Sequence, residues 1–286
     1  MDSHTLGAGS GLFETILSLP QAKTHASCDD SEVVPVYEPD VVLDPFLRLL
    51  CHVAVAPCKT YDDLERLLMV AEKWDAQGAI TSLREELACS RFLASDPLRV
   101  YVLAKHFAWK EEANLAATQT LRLDLREPDH YSALAELPSH ELLPLLKLHR
   151  TRRELFKTLL DSSARFTVGN RLASESFLVV EHHLFDSVPT PSESRVCPSC
   201  GKTQLDNSPW QALKAVLVDE INRRPLGDTL ESILGEKSER PEAKACWEAR
   251  CRDKWCGGLN YDKSATVRQI KNCLDLLPLT IQGRGV

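Results

Sequence analysis

Apolar residues at helical spacing, preceded by explicit helix-start signals, most constrain what this chain can fold into. Thr60 and Asp63 have the pattern of an approximate capping box, and apolar residues then recur every three or four positions. Asp-Pro pairs at 44–45 and 96–97 place an N-cap residue before a proline at the first helical position. The sequence therefore predicts a mainly α-helical protein.

Strand signals are scarce by comparison. One β-type run covers residues 32–37, and Pro35 limits it to the edge of a sheet because proline cannot donate a backbone hydrogen bond. A second short candidate covers residues 177–180. Two isolated candidates do not predict a substantial sheet.

A change in composition divides the chain. Residues 187–196 are rich in proline and serine and contain no large apolar side chain, which is typical of a linker. We therefore expect a helical region over residues 1–126, a helical extension over 127–186, and a small carboxy-terminal module with cysteines and tryptophans over 197–286.

Charge and hydropathy exclude several classes of protein. The chain of 286 residues has 34 Lys and Arg against 41 Asp and Glu, so its net charge of −7 argues against a general nucleic-acid binder, although it allows a local basic patch. No apolar run approaches the ~20 residues that cross a membrane, and no secretory signal opens the chain. We expect a protein of the cytoplasm or nucleus, where cysteines are thiols or metal ligands.

The C-x-x-C pair at Cys197 and Cys200 is the sharpest chemical motif. Two cysteines at this spacing reach one zinc ion, and a closed structural site needs four ligands. The predicted ligands of a structural zinc are Cys197, Cys200, Cys246 and Cys251, with Cys256 as an alternative member of the second pair. Such a metal would staple a region with little apolar mass of its own.

The motif is also compatible with different chemistry. On one continuous helix, cysteines five residues apart point ~140° apart, so a loop must bring the second pair together. His182 and His183 are further candidate donors, and unliganded thiols are an alternative to any metal. Redox chemistry is less favoured because a Pro/Ser-rich linker, and not a strand, precedes the motif.

No motif predicts catalysis. The sequence contains no Walker A lysine motif, no G-x-S-x-G nucleophile elbow and no H-E-x-x-H pair, so we expect a protein that is not an enzyme. Residues 147–153 form a basic cluster without interleaved aromatics, which favours a solvated helix face. The five tryptophans are interpreted as core or clamp residues.

A series of short motifs follows a fixed order over residues 2–125. In chain order these motifs are the segments 10–20, 33–36, 43–51, 62–64, 71–74 and 96–101. Together they resemble the BTB/POZ domain, in the form common among fungal BTB proteins. The strands and first helix that usually open this domain have no counterpart here, so the resemblance implies an amino-terminally incomplete BTB-like helical region. Because those elements supply much of the family's dimer interface, homodimerisation is not expected.

The resemblance implies a protein–protein interaction adaptor or scaffold without catalysis. Its partners would be other proteins, and the family's examples are a cullin-type ubiquitin-ligase scaffold and transcriptional regulators. Binding to a membrane or to nucleic acid is not expected. The alternative is a zinc-binding regulatory or nucleic-acid-associated protein built around the C-x-x-C turn.

Overall fold

A computed structural model describes residues 3–19, 36–162, 197, 199–201, 206–236 and 238–281. The chain divides into two compact units, Met1–Ala116 (unit 1) and Ala117–Val286 (unit 2). The described residues contain helices and no strand, which confirms the mainly α prediction. Most of the strand candidate at 32–37, the whole candidate at 177–180 and the linker at 187–196 lie outside the described residues.

The described residues of unit 1 form a series of short helices. They are α1 (Ser3–Gly9), α2 (Gly11–Ser18), α3 (Asp40–Leu50), α4 (Tyr61–Lys73), α5 (Gln77–Leu87), α6 (Ser90–Ser95), α7 (Pro97–His106) and α8 (Lys110–Thr120), the last of which runs into unit 2. The capping box of α4 is confirmed: Asp63 N–H donates to Thr60 Oγ1 over 3.2 Å, and Thr60 N–H donates to the Asp63 carboxylate.

Trp74 organises the core of unit 1. Its ring meets the edges of Phe13 and Phe46, with centroids 4.9 and 5.0 Å away, a geometry that favours aromatic pairs. Ser10 donates its hydroxyl hydrogen to the Trp74 carbonyl and also caps α2 by accepting from Phe13 N–H. These contacts fix α2 against the end of α4.

Helix α3 begins earlier than the Asp44-Pro45 pair predicts. It starts at Asp40, directly after Pro39, and therefore contains Pro45 in its interior. The Asp44 carboxylate pairs with Arg48 one turn on, at 2.9 Å, and does not cap the helix. The Pro39 carbonyl receives the first helical hydrogen bonds in its place.

Unit 2 is built around one helical core. Among its described residues the helices are α9 (Tyr131–Glu136), which follows a 3₁₀ turn, then α10 (Ser139–Asp161), α11 (Ser208–Arg223), α12 (Leu230–Leu234), α13 (Pro241–Glu248) and α14 (Lys263–Asp275). Phe156 of α10 is buried in the same core as Trp210 of α11 and Ile270 of α14. Residues of the expected helical extension and of the carboxy-terminal module therefore contribute to one core, and both belong to the unit that begins at Ala117.

The basic cluster is not a solvated face throughout. Arg152 is 1% exposed, and its guanidinium donates to the carbonyls of Pro225, Leu226 and Pro278 at 2.7–3.2 Å. His149, one turn earlier, is also buried. The burial of Arg152 and His149 has a geometric cause, because both residues lie on the face of α10 that carries Leu145, Leu148 and Phe156.

Within the described ranges, no helix combines the length and the apolar content that a membrane-spanning segment needs.

Candidate metal centre

The first part of the centre is the turn that carries Cys197 and Cys200. Gly201 N–H donates to the Cys197 carbonyl over 2.8 Å and closes the turn. Gly201 has φ +65°, in the left-handed region that glycine adopts without steric cost. Cys197 is buried and Cys200 is half-buried, and the amides of Ser199 and Cys200 hydrogen-bond the Cys197 sulfur.

The second part is a short hairpin-like loop over residues 249–260, between α13 and α14. Cys251 N–H donates to the Gly258 carbonyl over 2.8 Å, and Asn260 N–H donates to the Ala249 carbonyl over 2.9 Å. An isolated antiparallel bridge pairs the residues between them. The chain therefore doubles back between Cys251 and Cys256, and this brings the two side chains together. On a continuous helix, side chains five residues apart would point ~140° apart.

Asp253 shapes the tip of this loop. Its carboxylate accepts the Trp255 N–H over 2.9 Å, its carbonyl accepts the Cys256 N–H over 3.1 Å, and its own N–H donates to Cys251 Sγ over 3.4 Å. The turn is thus fixed by three contacts of one residue, and one of them already reaches a candidate ligand sulfur.

Glycines allow the two turns to approach each other. Gly257 has φ +57° and therefore lies in the same left-handed region as Gly201 of the first turn. A Cβ atom at Gly258 would overlap Ser199 Oγ and lie 3.4 Å from Cys256 Sγ, so a side chain there would collide with the opposite turn. Glycine is therefore required at 258 by close packing.

The four cysteines Cys197, Cys200, Cys251 and Cys256 form one cluster, with every sulfur within 4.8 Å of the others. Cys197 Sγ lies 3.7 Å from Cys256 Sγ, and Cys200 Sγ lies 3.8 Å from Cys251 Sγ. Zinc–sulfur bonds of about 2.3 Å in tetrahedral geometry separate the sulfurs by about 3.8 Å. The arrangement is therefore compatible with a metal ion held by four sulfurs.

The electrostatics of the cluster favour a central cation. Burial opposes ionisation of Cys197, but amide donors and contacts from the neighbouring cysteines hold its pKa below the ordinary value. The Gly258 amide favours the Cys256 thiolate, yet burial and the other three sulfurs raise the Cys256 pKa to about 12. Ionisation of one of these thiols raises the pKa of its neighbours, because like charges repel. Four thiolates therefore need a positive ion between them.

Cys246, one of the four predicted ligands, lies elsewhere, and Cys256 takes its place beside Cys197, Cys200 and Cys251. Cys246 is fully buried on α13 in the core of unit 2, where burial raises its thiol pKa to about 12. It follows Ala243 by one helical turn and shares its apolar face, so it packs as a small apolar residue. His182 and His183 lie outside the described residues.

One sequence signal distinguishes Cys256 from Cys246. Cys200-Gly201 and Cys256-Gly257 share the pattern of a cysteine followed by a glycine, and both glycines have positive φ. No glycine follows Cys246 or Cys251. A repeated Cys-Gly pair therefore selects Cys256 over Cys246, whereas cysteine spacing alone does not.

Comparison of the chain with protein-family models, with curated proteins and with solved structures yields no match.

Proposed function

We propose that Cys197, Cys200, Cys251 and Cys256 hold one structural Zn²⁺, and that this centre staples the carboxy-terminal unit of a non-catalytic adaptor protein. The observation that carries the proposal is a set of four sulfurs within 4.8 Å of one another, two pairs of which lie at 3.7 and 3.8 Å, close to the edge of a zinc tetrahedron. Structural zinc sites use four protein ligands, whereas catalytic sites leave one position for water or substrate.

The surroundings of the cluster support a structural role. Asn260 is the one buried residue of the loop over residues 249–260, so no large aliphatic side chain is buried there. A loop of this kind has little hydrophobic stabilisation, and a metal compensates for that. Tyr261 joins the loop to the helical core, since it is 2% exposed and its hydroxyl donates to the Asp206 carbonyl.

The adaptor role of unit 1 is supported by the BTB-like order of its motifs and by apolar side chains at its surface. Leu17 and Leu19, at the end of α2, are 45% and 57% exposed and give this helix an apolar surface of the kind that binds protein partners. The partner is a protein, with cullin-type scaffolds as the class that the resemblance implies, and the adaptor acts in the cytoplasm or nucleus.

The metal proposal is tested by elemental analysis of the full chain, purified under reducing conditions without chelator. We expect one zinc per chain in the wild type and in Cys246→Ala, and a loss of most of the zinc in Cys256→Ser. The two variants are a matched pair, because each removes one thiol from the same unit. Absence of zinc from the wild type, or equal loss from both variants, would contradict the proposal.

The adaptor proposal is tested by affinity capture with Leu17→Glu and with Leu115→Glu. Leu115 is 53% exposed on α8 and serves as the control for adding charge to an exposed leucine. We expect Leu17→Glu to lose specific protein partners that the wild type and Leu115→Glu retain. The same partners recovered with all three proteins would argue against an interaction surface at α2.

A further inference from the structure

Trp255 is the exception among the five tryptophans of the chain. Its side chain is 96% exposed, whereas Trp74, Trp109 and Trp210 are at most 9% exposed and Trp247 is half-buried. This corrects the expectation that every tryptophan is a core or clamp residue. An exposed indole does not gain the hydrophobic stabilisation that burial of so large an apolar group usually provides.

The backbone that carries Trp255 is held firmly. Trp255 precedes Cys256, its N–H is bound by the Asp253 carboxylate, and Cys251 joins the hairpin on the other side. With a metal bound by Cys251 and Cys256, both ends of this six-residue loop are fixed. The exposed indole is therefore presented from a rigid support, which lowers the entropic cost of binding to it.

Cationic residues lie close to Trp255 in the sequence of the loop. Residues 250–256 include Arg250, Arg252 and Lys254, all exposed, against the single carboxylate of Asp253. Arg252 pairs with Asp206 at 2.5 Å, and Arg250 donates to the Gly257 carbonyl over 2.9 Å. No acidic partner is found for Lys254 among the described residues. The chain is acidic overall, yet this loop is locally basic.

We propose that this loop is a binding site for single-stranded nucleic acid, on which a base stacks on Trp255 and the phosphates contact Lys254 and the neighbouring arginines. A nucleotide chain offers a flat aromatic face and an anionic group in every unit, which complements an exposed indole and exposed cations on the same short loop. A base in a duplex is covered on both faces, so only a single strand can use the indole. The inference rests on the proposed zinc centre, which fixes the loop.

Two competing roles for the cations of this loop predict different results. Four thiolates around Zn²⁺ leave excess negative charge, and the cations would offset it if Lys254 served the metal and not a ligand. An acidic peptide would use the cations and the indole without any base. Loss of zinc on charge reversal at Lys254 identifies the first role, and competition by a polyanion without bases identifies the second.

The experiment uses the full-length, zinc-loaded protein and a short fluorescein-labelled oligothymidine, with binding followed by anisotropy at low salt. We expect Trp255→Ala to weaken binding about tenfold. Lys254→Glu should weaken binding several-fold and reduce its salt dependence. Tyr131→Ala, which removes another exposed aromatic, and Lys110→Glu, which reverses another exposed cation, should bind as the wild type does.

Zinc is measured in every sample, so that failure of the surface and failure of the metal centre are told apart. Zinc-loaded wild type that does not bind oligothymidine, or binds it as well with Trp255→Ala, overturns the inference and leaves the zinc centre standing. Equal affinity for a duplex, displacement of the oligonucleotide by equimolar poly-glutamate, or loss of zinc from Lys254→Glu also overturns it. Wild type without zinc overturns the proposed function itself.

Discussion

Helix α4 of unit 1 and the cysteine cluster of unit 2 are stabilised in opposite ways. Helix α4 buries a continuous apolar face and begins with a capping box, so side chains close in sequence determine its structure. The cluster joins residues 51 and 59 positions apart through sulfur, glycine and backbone amides, with almost no aliphatic burial. Loss of one apolar contact should weaken the first gradually, whereas loss of the proposed zinc ion should unfold the second altogether.

The largest effect is expected from removing the proposed zinc ion. Zinc binding contributes about 10–16 kcal/mol to the folding of zinc-finger peptides, and the loop over residues 249–260 buries no large aliphatic side chain that would stabilise its hydrogen bonds without a metal. After treatment of the full chain with a strong chelator, the amides of Cys251 and Asn260 should lose protection against hydrogen exchange. Amides of α4 should keep theirs. Unchanged protection at 251 and 260 in metal-free protein would show that the loop folds without a metal.

Within α4, truncation of Leu68 should be the next most costly change. Leu68 is fully buried, so Leu68→Ala should lower the free energy of unfolding by about 2–5 kcal/mol through lost burial and the cavity that is left. Met69→Ala on the same helix is the control, because Met69 is 37% exposed and should cost much less. Denaturant titration measures both variants, and equal losses would mean that α4 is not packed as described.

Arg152 of unit 2 differs from both helix α4 and the cysteine cluster. It is a buried cation whose guanidinium donates to three backbone carbonyls and not to a carboxylate. Arg152→Met should lower the free energy of unfolding by about 2–3 kcal/mol, because the three carbonyls lose their donors. Arg150→Met removes an exposed arginine whose pairing with Glu154 is worth little, and it should change stability by less than about 0.5 kcal/mol. Similar values for the two variants, measured by denaturant titration, would restore the solvated-face interpretation of this helix.

The smallest effect is a pH dependence at His149. Burial, with Arg153 and Arg152 nearby, lowers its pKa to about 4 from 6.5, so the unfolded chain binds the proton more tightly. The contribution of the neutral His149 side chain to folding stability is therefore fully present above about pH 6.5, and it is lost as the pH falls towards 4. Between pH 7 and 5.5 the wild type should lose about 1 kcal/mol more than His149→Gln, measured by urea titration. Equal losses in both proteins would exclude His149 as the cause.

The parts of the fold that local sequence determines were predictable. The capping box at Thr60 and the apolar face that follows it lie within one helix, so spacing alone locates them. The burial of Arg152 was not predictable, because its carbonyl partners lie more than 70 positions away along the chain. A charged residue on an amphipathic helix is assigned to the solvent face unless those distant partners are known.

The kind of site, a cysteine cluster that can hold a metal, was predictable from the sequence, but not every cysteine that belongs to it was. The C-x-x-C spacing of Cys197 and Cys200 indicates a shared metal by local geometry. The choice between Cys246 and Cys256 depends on whether the chain is helical or doubles back, and spacing does not decide that. The glycine after Cys256 carries the information, because a positive φ there turns the chain.

X-ray absorption at the zinc edge of the full-length protein tests the central claim most directly. Four cysteine ligands predict a first shell of four sulfurs at about 2.3 Å, with no nitrogen or oxygen scatterer at about 2.0 Å. The same spectrum should be obtained from Cys246→Ala, whose missing thiol lies in the helical core. A shell with a light-atom ligand, or no zinc to measure in protein prepared without chelator, would contradict the account.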